Sequence, residues 1–97
     1  MTEAMYYVLL ALLNPNHGYQ LMQAIEEVSN RRIHMGPGTL YGVLTRLQTD
    51  RLIKIIKDDG KRKTYAITGK GKEALIQEYE RLNYMINDGY LLKGGEI

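Results

Sequence analysis

A mainly helical fold carrying one small β-hairpin, in the order helix, helix, helix, strand, strand, helix, is predicted by three observations. Apolar residues recur with helical spacing in four separate stretches of the 97-residue chain. Between the third and fourth stretches the apolar period shortens to two. Asp58-Asp59-Gly60-Lys61 lies at the centre of that alternating stretch, where Gly60 is free to take the positive φ of a hairpin turn.

The first helix is expected from about Glu3 to Leu13. Met5, Val8, Leu9 and Leu12 form one face, and Tyr6, Leu10 and Leu13 form a second. A helix apolar nearly all round must be covered on both sides; the core takes one face and another surface must take the other. Asn14-Pro15-Asn16 ends it with turn chemistry. A second helix is expected from about Gly18 to Ser29, with Leu21, Met22, Ile25 and Val28 inward and Gln20, Gln23, Glu26 and Glu27 outward. Residues 30–35 make a short polar connection. Pro37 falls in the first turn of the third helix, where a missing N–H is tolerated.

In that third helix Leu40, Val43, Leu44 and Leu47 fall at i, i+3, i+4 and i+7, one apolar stripe. The opposite face holds Gly38, Gly42, Thr45 and Thr49, flanked by Tyr41 and Arg46. It is small, polar and free of carboxylates. Ile53, Ile55, Tyr65 and Ile67 then alternate with Lys54, Thr64 and Ala66, a strand signature. Thr68 is the expected N-cap of the last helix, which should run from Gly69 to about Asn87. Along it Leu75, Tyr79, Leu82 and Ile86 are spaced 4, 3 and 4, a short coiled-coil-like seam. Gly89 and Gly94-Gly95 end or fray it.

Three helices with a hairpin after the third describe a winged helix-turn-helix. Its third helix would enter the major groove of duplex DNA and its hairpin would be the wing. Residues 1–68 are expected to form that unit and residues 69–97 a C-terminal dimerisation helix, together one compact body. The surplus apolar surface calls for a two-fold homodimer. Tyr6, Tyr7, Leu10, Leu75, Tyr79, Leu82, Met85 and Ile86 are its expected core. Part of that seam is also the candidate cavity for a small hydrophobic or aromatic effector, since tyrosine brings a polar tip and methionine adapts its shape.

The charge is segregated. From Arg31 to Lys72 eleven Lys/Arg face three acids, Asp50, Asp58 and Asp59, giving +8. The remaining residues hold two Lys/Arg and eight Asp/Glu, giving −6 and the overall +2. A basic middle between acidic flanks is the footprint of nucleic-acid contact on one side. Thr39, Tyr41, Gly42, Thr45, Arg46 and Thr49 are the candidates for base and phosphate contact from the third helix. Lys61, Arg62 and Lys63 at the hairpin tip are the candidates for flanking phosphates. Lys70 and Lys72 occupy the first turn of the last helix, where the dipole disfavours cations, and nearby phosphates would account for them.

Other classes fail. There is no cysteine, hence no disulfide framework and no thiolate metal site, as suits a reducing compartment. The longest apolar run, Ala4 to Leu13, is ten residues, against the roughly 20 needed to cross a bilayer. It also lacks a basic leader, so a cytoplasmic location is expected. His17 and His34 are the two histidines and neither has a carboxylate cluster beside it; Ser29 is the single serine. Gly36-Pro37-Gly38 follows no strand, and Pro37 removes an amide a phosphate loop would use. Thr68-Gly69-Lys70-Gly71-Lys72 lacks the spacing of such a loop. No catalytic constellation, metal or cofactor is expected.

His17-Gly18-Tyr19-Gln20-Leu21, Pro37-Gly38-Thr39-Leu40-Tyr41, Leu44-x-Arg46-Leu47, Leu52-Ile53, Tyr65-x-Ile67-Thr68 and Gly71-Lys72-Glu73-Ala74-Leu75, in that order, resemble the PadR family of bacterial transcriptional regulators. The resemblance spans about Tyr7 to Leu75. It implies a dimeric winged-helix DNA-binding protein, mostly a repressor in this family. Thr39, Tyr41 and Arg46 would lie on the recognition helix and Lys61, Arg62 and Lys63 on the wing, with the helix after Thr68 embracing the partner's first helix. The chain departs from the pattern at Arg51, where the family commonly has glycine. The short last helix is like that of the family's small subgroup, and there is no tryptophan, unlike in some drug-binding members. The resulting expectation is a sequence-specific regulator, a repressor on a pseudo-palindromic operator. The alternative is a winged-helix protein-interaction module without its own operator, against which the wing charge argues.

Overall fold

The structure is a computed structural model and describes residues 1–95. Its elements are α1 (Glu3–Ala11), β1 (Asn16–His17), α2 (Gly18–Val28), α3 (Pro37–Thr49), β2 (Ile53–Asp58), β3 (Lys63–Ile67) and α4 (Gly69–Asp88), followed by a 3-10 turn over Gly89–Lys93. The expected order holds, with two additions, β1 and the 3-10 turn over Gly89–Lys93. Asn16 and His17 pair antiparallel with Tyr65 and Thr64, so the sheet has three strands in the order β1-β3-β2 rather than a lone hairpin. Two residues carry no readable period, which is why the sequence hid this strand. The predicted dimerisation segment runs to residue 97, and its last two residues lie outside the described ones.

The core is assembled from the predicted stripes. Val8, Leu9 and Leu12, Leu21 and Ile25, and Leu40, Leu44 and Leu47 are sealed from solvent, and Met35, Leu52, Ile53, Tyr65 and Leu75 close the cluster. Each such aliphatic side chain contributes about 1.5–3 kcal/mol by leaving water.

Helix ends account for the differences from expectation. The Thr2 hydroxyl caps α1 by accepting from the Met5 N–H at 3.1 Å, and α1 stops at Ala11, leaving Leu13 half exposed outside it. Val28, expected inward, is exposed instead, because α2 ends there and the chain turns away. The turn is organised by Ser29, which is completely buried. Its hydroxyl donates to the Glu26 carbonyl (3.2 Å) and accepts from the Ile33 N–H (3.1 Å), while its carbonyl accepts from Arg32 Nε (3.0 Å). A buried hydroxyl with both capacities used is no liability.

Both α2 and α3 close with the paired carbonyl bonds of a Schellman motif. Arg31 and Asn30 N–H groups donate to Glu26 and Glu27, and Leu52 and Arg51 N–H groups donate to Leu47 and Gln48. The cost is left-handed backbone at Asn30, Arg31 and Arg51, with φ of 53°, 63° and 60°. Arg51 therefore occupies the position where glycine would be unstrained.

Thr68 caps α4 as predicted and also ties it down. Its hydroxyl accepts from the Gly71 N–H (3.0 Å) and donates to the Arg51 carbonyl (2.8 Å), and its own N–H donates to the Leu52 carbonyl (3.0 Å). The first turn of α4 is thus bolted to Arg51 and Leu52, just past the end of α3. Beyond Leu82 the helix leaves the body: Tyr84, Met85 and Ile86 are exposed, and the molecule measures 57 × 27 × 19 Å. Among the described residues, no helix is long and apolar enough to cross a membrane.

Candidate nucleic-acid interface

Two surfaces stand out, a polar cleft and an apolar groove. The cleft opens between α3, the start of α2 and the β2–β3 hairpin. Tyr41, Thr45 and Gln48 line it from α3, His17, Gly18 and Tyr19 from β1 and α2, and Asp58, Gly60, Lys61, Arg62, Lys63 and Tyr65 from the hairpin. The structure therefore brings Tyr41 and Thr45 of the predicted reading helix and the predicted basic tip to one concavity, while Thr39, Gly42, Arg46 and Thr49 lie outside its lining.

On α3 the apolar stripe faces the core and the small face points out. Thr39, Tyr41, Gly42, Thr45, Arg46 and Thr49 are all exposed. A Cβ added at Gly38 or Gly42 would meet nothing within 4 Å, so packing within this chain gives no reason for glycine there. The Thr45 and Thr49 hydroxyls donate to the carbonyls of Tyr41 and Thr45, four residues back, at 2.9 and 3.0 Å. Their protons are committed to the backbone and their oxygens remain as acceptors. Arg46 Nε donates to Asp50 Oδ2 at 3.0 Å. The Tyr41 ring packs over Gly18, where a Cβ would fall 2.8 Å from its Cζ. Tyr41 thus braces α3 against the start of α2 while its other edge stays half exposed.

The hairpin tip is built by its acids. Asp58 Oδ1 accepts from the Gly60 N–H (3.0 Å), and Asp59 Oδ1 accepts from the N–H groups of Lys61 (3.0 Å) and Arg62 (2.8 Å). Those two backbone bonds hold the Asp59 carboxyl below the usual carboxylate range. Gly60 takes φ 87°, as the turn requires. Asp58 and Asp59 are therefore spent on the turn, and among the described residues Lys61, Arg62 and Lys63 enter no ion pair. A bulge skips Ile56 between the Ile55–Tyr65 and Lys57–Thr64 pairs, which twists the outer half of the hairpin. Burial pushes the Tyr65 phenol up, with smaller contributions from Tyr41 and Asp58.

The apolar groove runs between α1 and α4, lined by Tyr6, Leu10, Leu13, Lys72, Leu75, Ile76 and Tyr79. Lys72, expected near the phosphates, lies along this groove and is absent from the cleft; its aliphatic stem covers apolar surface. Leu75 is buried in the chain's own core with only an edge toward the groove, whereas Tyr79, Met85 and Ile86 are exposed. Tyr6 and Tyr7 meet edge to face at 5.8 Å, and Tyr7 Oη accepts from Arg32 Nη2 at 3.0 Å. Burial raises the Tyr6 phenol, with Tyr79, Tyr7 and Glu78 adding to it. Glu78 is held low by its bonds from Arg81.

Sequence reasoning missed Tyr19 and Gln48 as cleft residues. Tyr19 is 79% exposed, and a large aromatic ring left in water at a helix start was the available signal. His34, expected without a carboxylate cluster beside it, sits 2.9 Å from one carboxylate, that of Glu26. Among the described residues, no group of three His, Cys, Asp or Glu could hold a metal.

Three helices, a basic two-stranded wing and an outward-facing third helix define a winged helix-turn-helix protein. The model of the transcriptional regulator PadR-like family matches residues 8–77, and the chain belongs to that family, one of regulators and not of enzymes. A 37.1 kDa protein of transposon TN4556 from Streptomyces fradiae is 40% identical over 77 residues, 78% of this chain and 22% of that protein. The transcriptional regulator YqjI of Escherichia coli (strain K12) is 34% identical over 67 residues, 69% of this chain and 32% of that protein. The chain thus spans about a fifth to a third of these two relatives. A PadR family transcriptional regulator from Eggerthella lenta DSM 2243 superposes with a TM-score of 0.73 at 28% identity, over 90% of this chain and 75% of that one.

Proposed function

We propose that this chain is a homodimeric, sequence-specific DNA-binding repressor. Two copies pair through α1 and α4, residues 69–97 serving the pairing and residues 1–68 the reading. The two α3 helices enter successive major grooves of a pseudo-palindromic operator, about 34 Å apart, in the cytoplasm. Arg46, Thr39, Gly42, Thr45 and Thr49 meet base edges and Tyr41 the backbone, while Lys61, Arg62 and Lys63 hold flanking phosphates. The observation that carries this reading is the cleft that sets Tyr41 and Thr45 of α3 beside Lys61, Arg62 and Lys63, which enter no ion pair among the described residues. The exposed apolar side of α4 supports the pairing: Tyr79, Met85 and Ile86 are more than half exposed in one copy. The groove between α1 and α4 also fits a small hydrophobic or aromatic effector, whose seating would alter the spacing of the two reading helices.

Sedimentation at micromolar concentration and titration with the duplex upstream of the chain's own coding sequence test this reading. A dimer that retards that duplex is expected. Arg46→Ala lowers its affinity and relaxes sequence preference, whereas Lys61→Ala weakens all DNA alike and flattens the salt slope by about 0.9. A monomer, or equal binding to upstream and random duplexes, would refute it. Calorimetry with phenolic acids tests the effector: heat together with weakened operator binding is expected, and neither would remove it.

A further inference from the structure

We infer that Asp50 is a positioning residue that makes Arg46 a fixed reader of guanine. The inference rests on the operator-binding reading above. Arg46 and Asp50 are one turn apart at the end of α3, and Nε of the guanidinium donates to Oδ2 of the carboxylate at 3.0 Å. A guanidinium carries five donors in a rigid planar fork. With Nε occupied, the terminal Nη1 and Nη2 edge is left, and two parallel donors match the O6 and N7 acceptors of guanine in the major groove. The Arg46 side chain is 69% exposed and that of Asp50 38%, so the carboxylate is the more recessed partner.

Two further observations favour this role. The other two acids of the basic middle, Asp58 and Asp59, are accounted for by their bonds to the hairpin turn, whereas the Asp50 carboxylate is turned to Arg46 and makes no backbone bond among the described residues. An exposed i,i+4 pair also contributes little to folding, so a carboxylate beside a DNA-facing surface costs phosphate attraction with no stability return of comparable size. Holding Arg46 in one rotamer before binding removes an ordering cost that only a directional contact recovers. The back-bonded Thr45 and Thr49 hydroxyls fit the same logic, since their oxygens are acceptors already set in place.

Binding-site selection from randomised duplexes by the full chain tests this, using wild type, Asp50→Ala, Asp50→Glu and Arg46→Ala, each checked for unchanged thermal unfolding. Wild type should select a two-fold site with one guanine per half-site that Arg46→Ala no longer requires. Asp50→Ala should reduce the preference for that guanine by about 5–10-fold, while random-duplex affinity stays level or rises about two- to threefold as a negative charge leaves. Asp50→Glu should restore most of the preference, and Asp50→Ala added to Arg46→Ala should change it no further. Full retention of the guanine preference in Asp50→Ala overturns the inference, as does equal weakening on selected and random DNA. A wild-type chain that selects no sequence overturns the operator reading itself.

Discussion

Gly71 rests against the carbonyl oxygen of Leu52, with no room between them for a side chain. The contact lies inside the lock formed by Thr68, so the collision meets backbone on one side and the Ile67 side chain, 2.8 Å from an added Cβ, on the other. Gly71→Ala is expected to destabilise the fold by about 1–3 kcal/mol or more, the range of overpacked sites. Urea unfolding should show a lower midpoint at unchanged slope.

Arg51 holds φ at 60° to complete the end of α3. A left-handed backbone costs a side-chain-bearing residue roughly 1–2 kcal/mol, and glycine gives back part of that gain through its freer unfolded chain. Arg51→Gly should therefore stabilise the protein by about 0.5–1 kcal/mol, read as a higher midpoint in the same assay. Because the Arg51 carbonyl accepts from Thr68, the gain should survive only while threonine or serine occupies position 68.

Gly42 separates stability from function. Nothing among the described residues would come within 4 Å of its Cβ, and glycine inside a helix is about 1 kcal/mol less favourable than alanine. Gly42→Ala should raise stability by up to that amount while weakening operator affinity, because the added methyl holds α3 away from the groove floor. Thermal unfolding and a binding titration on one preparation would show the opposed signs.

The hairpin tip should loosen in acid. Asp59 has a depressed carboxyl pKa in the folded chain, so its contribution is fully present above the unfolded value of about 3.9 and is lost as pH falls through the lower folded value. Amide exchange at Lys61 and Arg62 should therefore accelerate below about pH 4 beyond the intrinsic trend. In Asp59→Ala these amides should already be open at neutral pH.

The helices and wing were legible because each long element declares itself through period. Leu40, Leu44 and Leu47 are spaced as a buried stripe and are buried, and Thr68 precedes its helix as a cap and caps it. What stayed hidden was set by tertiary contact. Asn16 and His17 form a strand only because β3 offers a free edge, Val28 turns outward only because Ser29 bends the chain, and Lys72 settles on apolar surface rather than in the cleft. The candidate site was readable on α3 and at the wing tip, since both are contiguous in sequence. Tyr19 joined it through folding alone.

The sealed corner at Ser29 has a practical corollary. It sets the path of the chain out of α2 through groups that all lie before Pro37, while positions 38, 39, 42, 45, 46 and 49 hold no core side chain. Residues at those outward positions can be exchanged as a set without repacking the interior, which makes this small domain a scaffold on which the recognition alphabet can be rewritten independently of the machinery that aims it.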